Sequence, residues 1–223
     1  MSSARDHLAR IVREVDESLS EASAAREVAL PGCRKVIREC GSAIKAVHRL
    51  RTDEALETLG RAEATLREVQ RALADHPAIE HAGFLHDAEK EYVEARCVVA
   101  LVGGTPLPTP TELHVGGPAY LRGLAEAASE LRRHLLDRLR DGDLDRATEL
   151  LGLMDDVYDE LSTVDHPDAV TGGLRRTLDA LRAVLERSRG DLTTTTLQTR
   201  LQRSLDSVRE ALGDRGTAAP EDH

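Results

Sequence analysis

Apolar residues recur every three or four positions along almost the whole chain, the spacing that lines one face of an α-helix. The first stripe runs through Leu8, Ile11, Val12, Val15, Leu19 and Ala22. Pro31-Gly32 is expected to kink or interrupt this helix, and the pattern then resumes through Val36, Ile37, Ile44, Val47 and Leu50. Thr52 and Asp53 are candidate N-caps for a second helix carrying Leu56, Leu59, Ala62, Leu66, Val69 and Leu73, which Asp75-His76-Pro77 ends. The same spacing predicts a third helix from about Ile79 to Val102, stopped by Gly103-Gly104 and a loop with Pro106, Pro108 and Pro110.

Gly116-Gly117-Pro118 opens a fourth helix with Leu121, Leu124, Ala128, Leu131 and Leu135; Asp141-Gly142-Asp143 closes it and caps a fifth, with Leu150, Met154, Val157 and Leu161. His166-Pro167-Asp168 leads into a sixth, carrying Leu174, Leu178, Leu181 and Leu185. After Gly190, four threonines (Thr193 to Thr196) weaken the helical signal without forbidding it. A last amphipathic stretch runs through Leu197, Leu201, Leu205, Val208 and Leu212. Each helix has one apolar face and neither half of the chain is self-sufficient, so the expectation is an all-α, single-domain bundle of six to seven antiparallel helices. Its main body spans 1–190, with 191–212 as a C-terminal amphipathic helix belonging or appended to it, and a disordered tail over 213–223.

Composition agrees with helices. Of 223 residues, 40% are hydrophobic but only 2% aromatic, with no Trp and the single Phe84. The core is therefore built of Leu, Val and Ala, which suits close helix packing better than a β-sandwich. No stretch has the apolar length that spans a bilayer, and charges begin within the first turn. Cys33, Cys40 and Cys97 are odd in number and form no CxxC pair. They read as reduced, buried thiols of a cytoplasmic protein. Formal net charge is −10, so any contact with nucleic acid must use a local basic patch. Such patches exist at Arg34-Lys35-Arg38, at Lys45-His48-Arg49-Arg51 and at Arg132-Arg133-Arg138-Arg140. With few aromatics to stack bases, each reads first as a solvated helix face balanced by neighbouring acids.

Chemistry concentrates in His86-Asp87-Ala88-Glu89-Lys90-Glu91-Tyr92-Val93-Glu94-Ala95. Phe84, Ala88, Glu91, Ala95, Val98 and Val102 form a seam on which Glu91 is the only ionisable group, and Asp87 and Glu94 lie one turn before and after it. Grouped carboxylates suit a hard divalent cation such as Mg²⁺ or Mn²⁺, which commonly assists phosphodiester hydrolysis. Acidic pairs are also ordinary on exposed helices. Glu126 and Glu130 form a second pair beside the small residues Gly123 and Ala127, but Glu126 projects away from the Leu121-Leu124-Leu131 stripe. It reaches a shared site only if this helix is contacted on both sides. A phosphate-binding loop with its Lys, a GxSxG and an HExxH are all absent from the sequence.

Taken together, several segments resemble the translin family, and its translin-associated factor X branch more than translin itself. Cys33-Arg34 through Ile44 to His48-Arg49 is similar to that branch's first conserved helix. Glu91-Tyr92-Val93-Glu94-Ala95 reproduces its EYVEA motif, whose acids translin lacks. Tyr120-Leu121-Arg122-Gly123-Leu124 through Ser129-Glu130-Leu131 resembles the YL-x-G helix with its later EL, and Asp141-Gly142-Asp143 falls at an NGD-like turn. The similarity spans about 26 to 190.

The resemblance implies a seven-helix fold assembling into rings, usually octamers, that bind single-stranded RNA or DNA. For the factor X branch it implies a Mg²⁺-dependent endoribonuclease, with Glu91, Glu94 and Glu126 as catalytic metal ligands and Glu130 as a further member of the site. Arg34, His48 and Arg49 are the basic residues within a matched segment and are the expected phosphate contacts. Two positions depart from the pattern. Residue 126 is Glu where the family has Asp, and the aromatic and basic residues preceding the EYVEA helix are thinned to His81, Phe84 and His86. The expected activity is cleavage of single-stranded RNA by a homo-oligomer; a ring that binds without cutting and a helical protein-interaction scaffold are the alternatives.

Overall fold

The computed structural model describes residues 2–80 and 83–216. Among them are nine helices in chain order: α1 (Ser2–His48), α2 (Thr52–Leu73), α3 (Pro77–Glu80), α4 (Phe84–Gly103), α5 (Pro110–Leu113), α6 (Gly117–Arg140), α7 (Leu144–Ser162), α8 (Asp168–Thr171) and α9 (Leu174–Gly216). Six are long and three are single turns, so the expected all-α bundle is the observed one.

α1 packs on α2 and α4, while α6 packs on α4, α7 and α9. α6 is therefore covered on more than one side, the condition that Glu126 needs to meet other helices. The turn 141–143 between α6 and α7 is capped by Asp143, whose side chain accepts from the Arg146 amide. The core is aliphatic: Leu59, Leu66, Leu131, Leu135, Met154 and Leu181 are essentially inaccessible, and Tyr92 is the one large aromatic among the fully buried side chains.

Several boundaries differ from the sequence expectation. Pro31-Gly32 does not break α1, which runs unbroken for 47 residues. Pro31 is exposed, and Gly32 lies against α2, where a Cβ would stand 2.4 Å from Val69 Cγ2. Packing along α1 and α2 outweighs the local cost of the proline. The second helix takes Arg51 as its N-cap residue and has no side-chain cap, so neither Thr52 nor Asp53 serves. The stretch predicted as one helix from 79 is two, with Gly83 at φ +93° before α4 and residues 81 and 82, His81 among them, outside the described residues. The sixth predicted helix and the final stretch are one, since α9 continues through Gly190 and the four threonines. It also continues past 213 to Gly216; the rest of the expected tail, 217–223, lies outside the described residues.

Both ends of the bundle extend past its core. Leu8, Ile11, Val12, Val15 and Leu19 on α1, and Leu197, Leu201, Leu205 and Val208 on α9, are all exposed. No helix among the described residues is long and apolar enough to cross a membrane.

Candidate metal and nucleic-acid site

The site forms where α4 crosses α6 beneath α1. The crossing is close because Gly123 has no side chain: a Cβ there would lie 2.6 Å from the Lys90 carbonyl and 2.7 Å from Val93 Cβ. One turn further along α6, Glu126 is thereby brought beside the acids of α4. Glu91, Glu94 and Glu126 each offer a carboxylate oxygen, and the three oxygens lie within 4.8 Å of one another. Asp87 is exposed and is not part of this group.

Burial is distributed differently from the predicted seam. Glu91 and Glu126 are half-buried, while Glu94 and Lys90 are each only 8% exposed. Among the described residues Glu94 makes no hydrogen bond or ion pair, and its carboxyl faces two others. Burial pushes its pKa up to about 8; Glu91 and Glu126 add to the rise and Lys90 opposes it. The Lys90 ammonium donates to Glu91 Oε1 at 2.9 Å and also to Glu126 Oε2. Burial alone would lower the lysine's pKa, but the hydrogen bonds to Glu126 and Glu91 outweigh it and the net shift is upward. From α1, Cys40 lies fully buried close enough for Glu91 and Glu94 to disfavour its thiolate, after burial itself. Cys33 and Cys97 are buried too, and all three cysteines are free.

Glu130 stands one turn beyond Glu126 and is held from α1. His48 Nε2 is 2.9 Å from Glu130 Oε2, and His48 Nδ1 is 3.1 Å from Nε2 of His134. The hydrogen bond from His48 leads the causes that hold the Glu130 carboxyl below the usual range. Burial, and then His48, lower His134 to about 4, so its ring is neutral. The His48 side chain is only 5% exposed, which removes it from the expected phosphate contacts: its ring is engaged inside the bundle. Arg34 and Arg49 are exposed. Of the basic cluster on α6, Arg132 pairs with Asp191, Arg138 with Asp141, and Arg140 with Asp137 and Asp141. Arg133 is exposed beside Glu130 and makes no ion pair among the described residues. His86 accepts a hydrogen bond from Arg122 at 3.2 Å.

Lys90 and His134 were not singled out from sequence. Lys90 sits in the motif segment, but its direction follows only from knowing that α6 covers that side of α4. His134 lies one turn beyond Glu130, a legible i,i+4 spacing.

The residues present fit a divalent cation. Three carboxylates converge, the buried one has no hydrogen bond or ion pair among the described residues, and oxygen donors are what Mg²⁺ and Mn²⁺ prefer.

The fold and this crossing define the class: an all-α bundle with an acidic cluster between two central helices. AfC3PO, solved alone and in complex with duplex RNA, has the same fold with a TM-score of 0.77 and 30% identity, covering 84% of this chain and 97% of that one. The chain belongs to the C3PO/translin family. Apo-NeC3PO shares the fold at a TM-score of 0.74 and 18% identity, over 82% of this chain and 96% of that one. An uncharacterised protein of Methanocaldococcus jannaschii is 28% identical over 196 residues, 87% of this chain and 86% of that protein. No family model matches the sequence.

Proposed function

We propose that this chain binds RNA as a homo-oligomer and cleaves it as a Mg²⁺- or Mn²⁺-dependent endoribonuclease of the factor X type. The observation that carries the reading is the convergence of Glu91, Glu94 and Glu126, whose carboxylate oxygens lie within 4.8 Å of one another, with Glu94 buried and making no hydrogen bond or ion pair among the described residues. Once ionised, such a group is costly to hold in the bundle unless a cation completes it. The likeness to AfC3PO, whose structure holds duplex RNA, supports RNA as the substrate class.

Glu91, Glu94 and Glu126 would hold the ion. When bound, it supplies a Lewis acid that makes water nucleophilic and stabilises the departing oxygen of the phosphodiester. Glu130, kept ionised by the hydrogen bond from His48, lies next to this group and would be a further ligand or orient one. The exposed guanidinium groups of Arg34, Arg49 and Arg133 are free to meet phosphates; with a net charge of −10, such local contacts must supply the attraction, and binding weakens as salt rises. The exposed apolar stripes at both ends of the bundle support an assembly of several copies, up to the octameric ring the resemblance implies.

A second reading, a ring that binds without cutting, is favoured by the longer Glu at position 126 and by Lys90 engaging two of the three acids. Labelled single-stranded and duplex RNA incubated with wild type and with a Glu91→Ala, Glu94→Ala double variant, each with Mg²⁺ and with EDTA, separates the two. Cleavage by wild type that both EDTA and the substitutions abolish is expected; salt-dependent binding without cleavage in every reaction would contradict the enzyme and leave the binding ring.

A further inference from the structure

Lys90 occupies an unusual position for a lysine. Its residue is only 8% exposed, its carbonyl lies at the α4–α6 contact against Gly123, and its ammonium donates to both Glu91 and Glu126. The two carboxylates it bridges belong to the trio whose oxygens lie within 4.8 Å of one another. An ammonium hydrogen-bonded to Glu91 Oε1 and Glu126 Oε2 competes with a divalent ion for these two carboxylates. Mg²⁺ bonds oxygen at about 2.0–2.1 Å, so binding it draws both carboxylates onto the ion, into the space the ammonium now bridges. Two cations that close, in a site mostly shut off from water, repel strongly.

We propose that Lys90 is a resident cation of the acid cluster, and that loading a divalent metal is an exchange in which the ion displaces the Lys90 ammonium from Glu91 and Glu126. This rests on the reading of Glu91, Glu94 and Glu126 as a metal site. The exchange explains the division of labour among the acids. Glu91 and Glu126 share the single positive charge of Lys90 until metal arrives, whereas Glu94 receives no hydrogen bond from it. Lys90 therefore sets the metal affinity. It holds the empty cluster together at the expense of binding strength, and once released it has the flexible stem to carry a positive charge toward the rim of the site.

Two measurements test this on the full chain. Mn²⁺ titration followed by electron paramagnetic resonance compares wild type with Lys90→Met, which keeps the side-chain volume and removes the charge. The variant is expected to bind Mn²⁺ at least about tenfold more tightly. Reductive methylation of wild type, read by mass spectrometry, follows Lys90 directly; the chain has only two other lysines, Lys35 and Lys45. Lys90 is expected to react at least about tenfold faster with Mn²⁺ than with EDTA, because displacement exposes a buried amine. Binding by wild type with unchanged Lys90 reactivity overturns the exchange while leaving the metal site, and so does a Lys90→Met protein that binds no more tightly. Absence of Mn²⁺ binding in both proteins overturns the exchange and the metal site together.

Discussion

Glu94 is the residue on which the site turns, and its burial gives it a pH signature. The unfolded chain ionises this carboxyl near the ordinary value of about 4.3. The folded chain keeps the proton until about pH 8. The folded state therefore binds the proton more tightly, so Glu94 favours folding at acid pH, and that contribution declines as pH rises towards about 8. Calorimetry with EDTA across that range is expected to show a falling Tm in wild type and a flatter profile in Glu94→Gln. A divalent cation needs the ionised carboxyl, so metal affinity is expected to rise over the same range. A Glu94→Gln profile as steep as wild type would remove Glu94 as its source. At this scale the sequence was informative about residue types and less so about directions. The EYVEA acids and Glu126 are picked out by the family resemblance rather than by spacing, and the structure groups all three. Spacing places Glu91 on the apolar seam, the face that meets one neighbouring helix; α4 is packed by both α1 and α6, and Glu94 and Lys90 are the ones enclosed. His48 is expected as a phosphate contact because it is a basic residue of the segment that resembles the family, and nothing in its own helix shows that Glu130 and His134 face it.

Between elements, the α4–α6 crossing is what makes a site out of separate carboxylates. Gly123→Ala would place a methyl group 2.6 Å from a backbone carbonyl that cannot swing aside. The helices must separate, with an expected cost of about 1–3 kcal/mol in urea denaturation and weaker Mn²⁺ binding. Gly152→Ala, in α7 with open space around it, is the control. There the better helix former is expected to gain about 0.5–1 kcal/mol. Equal effects of the two substitutions would show that the close approach does not matter. Element boundaries were the part of the fold least visible in the sequence. Pro31-Gly32 and Gly190 with its threonines are real local breakers, but helices of 47 and 43 residues carry enough neighbouring contacts or regular turns to run through them. The end of α4 was legible, because Gly104 adopts the left-handed conformation that a helix terminus favours.

For the whole molecule, membership of the C3PO/translin family accounts for the bundle, and the exposed stripes bear on assembly. The apolar spacing of Leu197, Leu201, Leu205 and Val208 was visible in the sequence as a final amphipathic helix, yet the body of the same chain leaves it uncovered. If these stripes join copies, Leu201→Glu with Leu205→Glu will reduce the mass measured by light scattering while the bundle keeps its helical melting transition. A monomeric wild type would contradict that role. The claim beneath the functional reading is that α4 and α6 together hold one divalent ion. The most direct test is an anomalous-scattering map from a crystal of the full chain grown with Mn²⁺. The account predicts one peak bonded to Glu91, Glu94 and Glu126, with Lys90 moved away from Glu91 and Glu126. A map without Mn²⁺ at these carboxylates, at saturating metal, would contradict it.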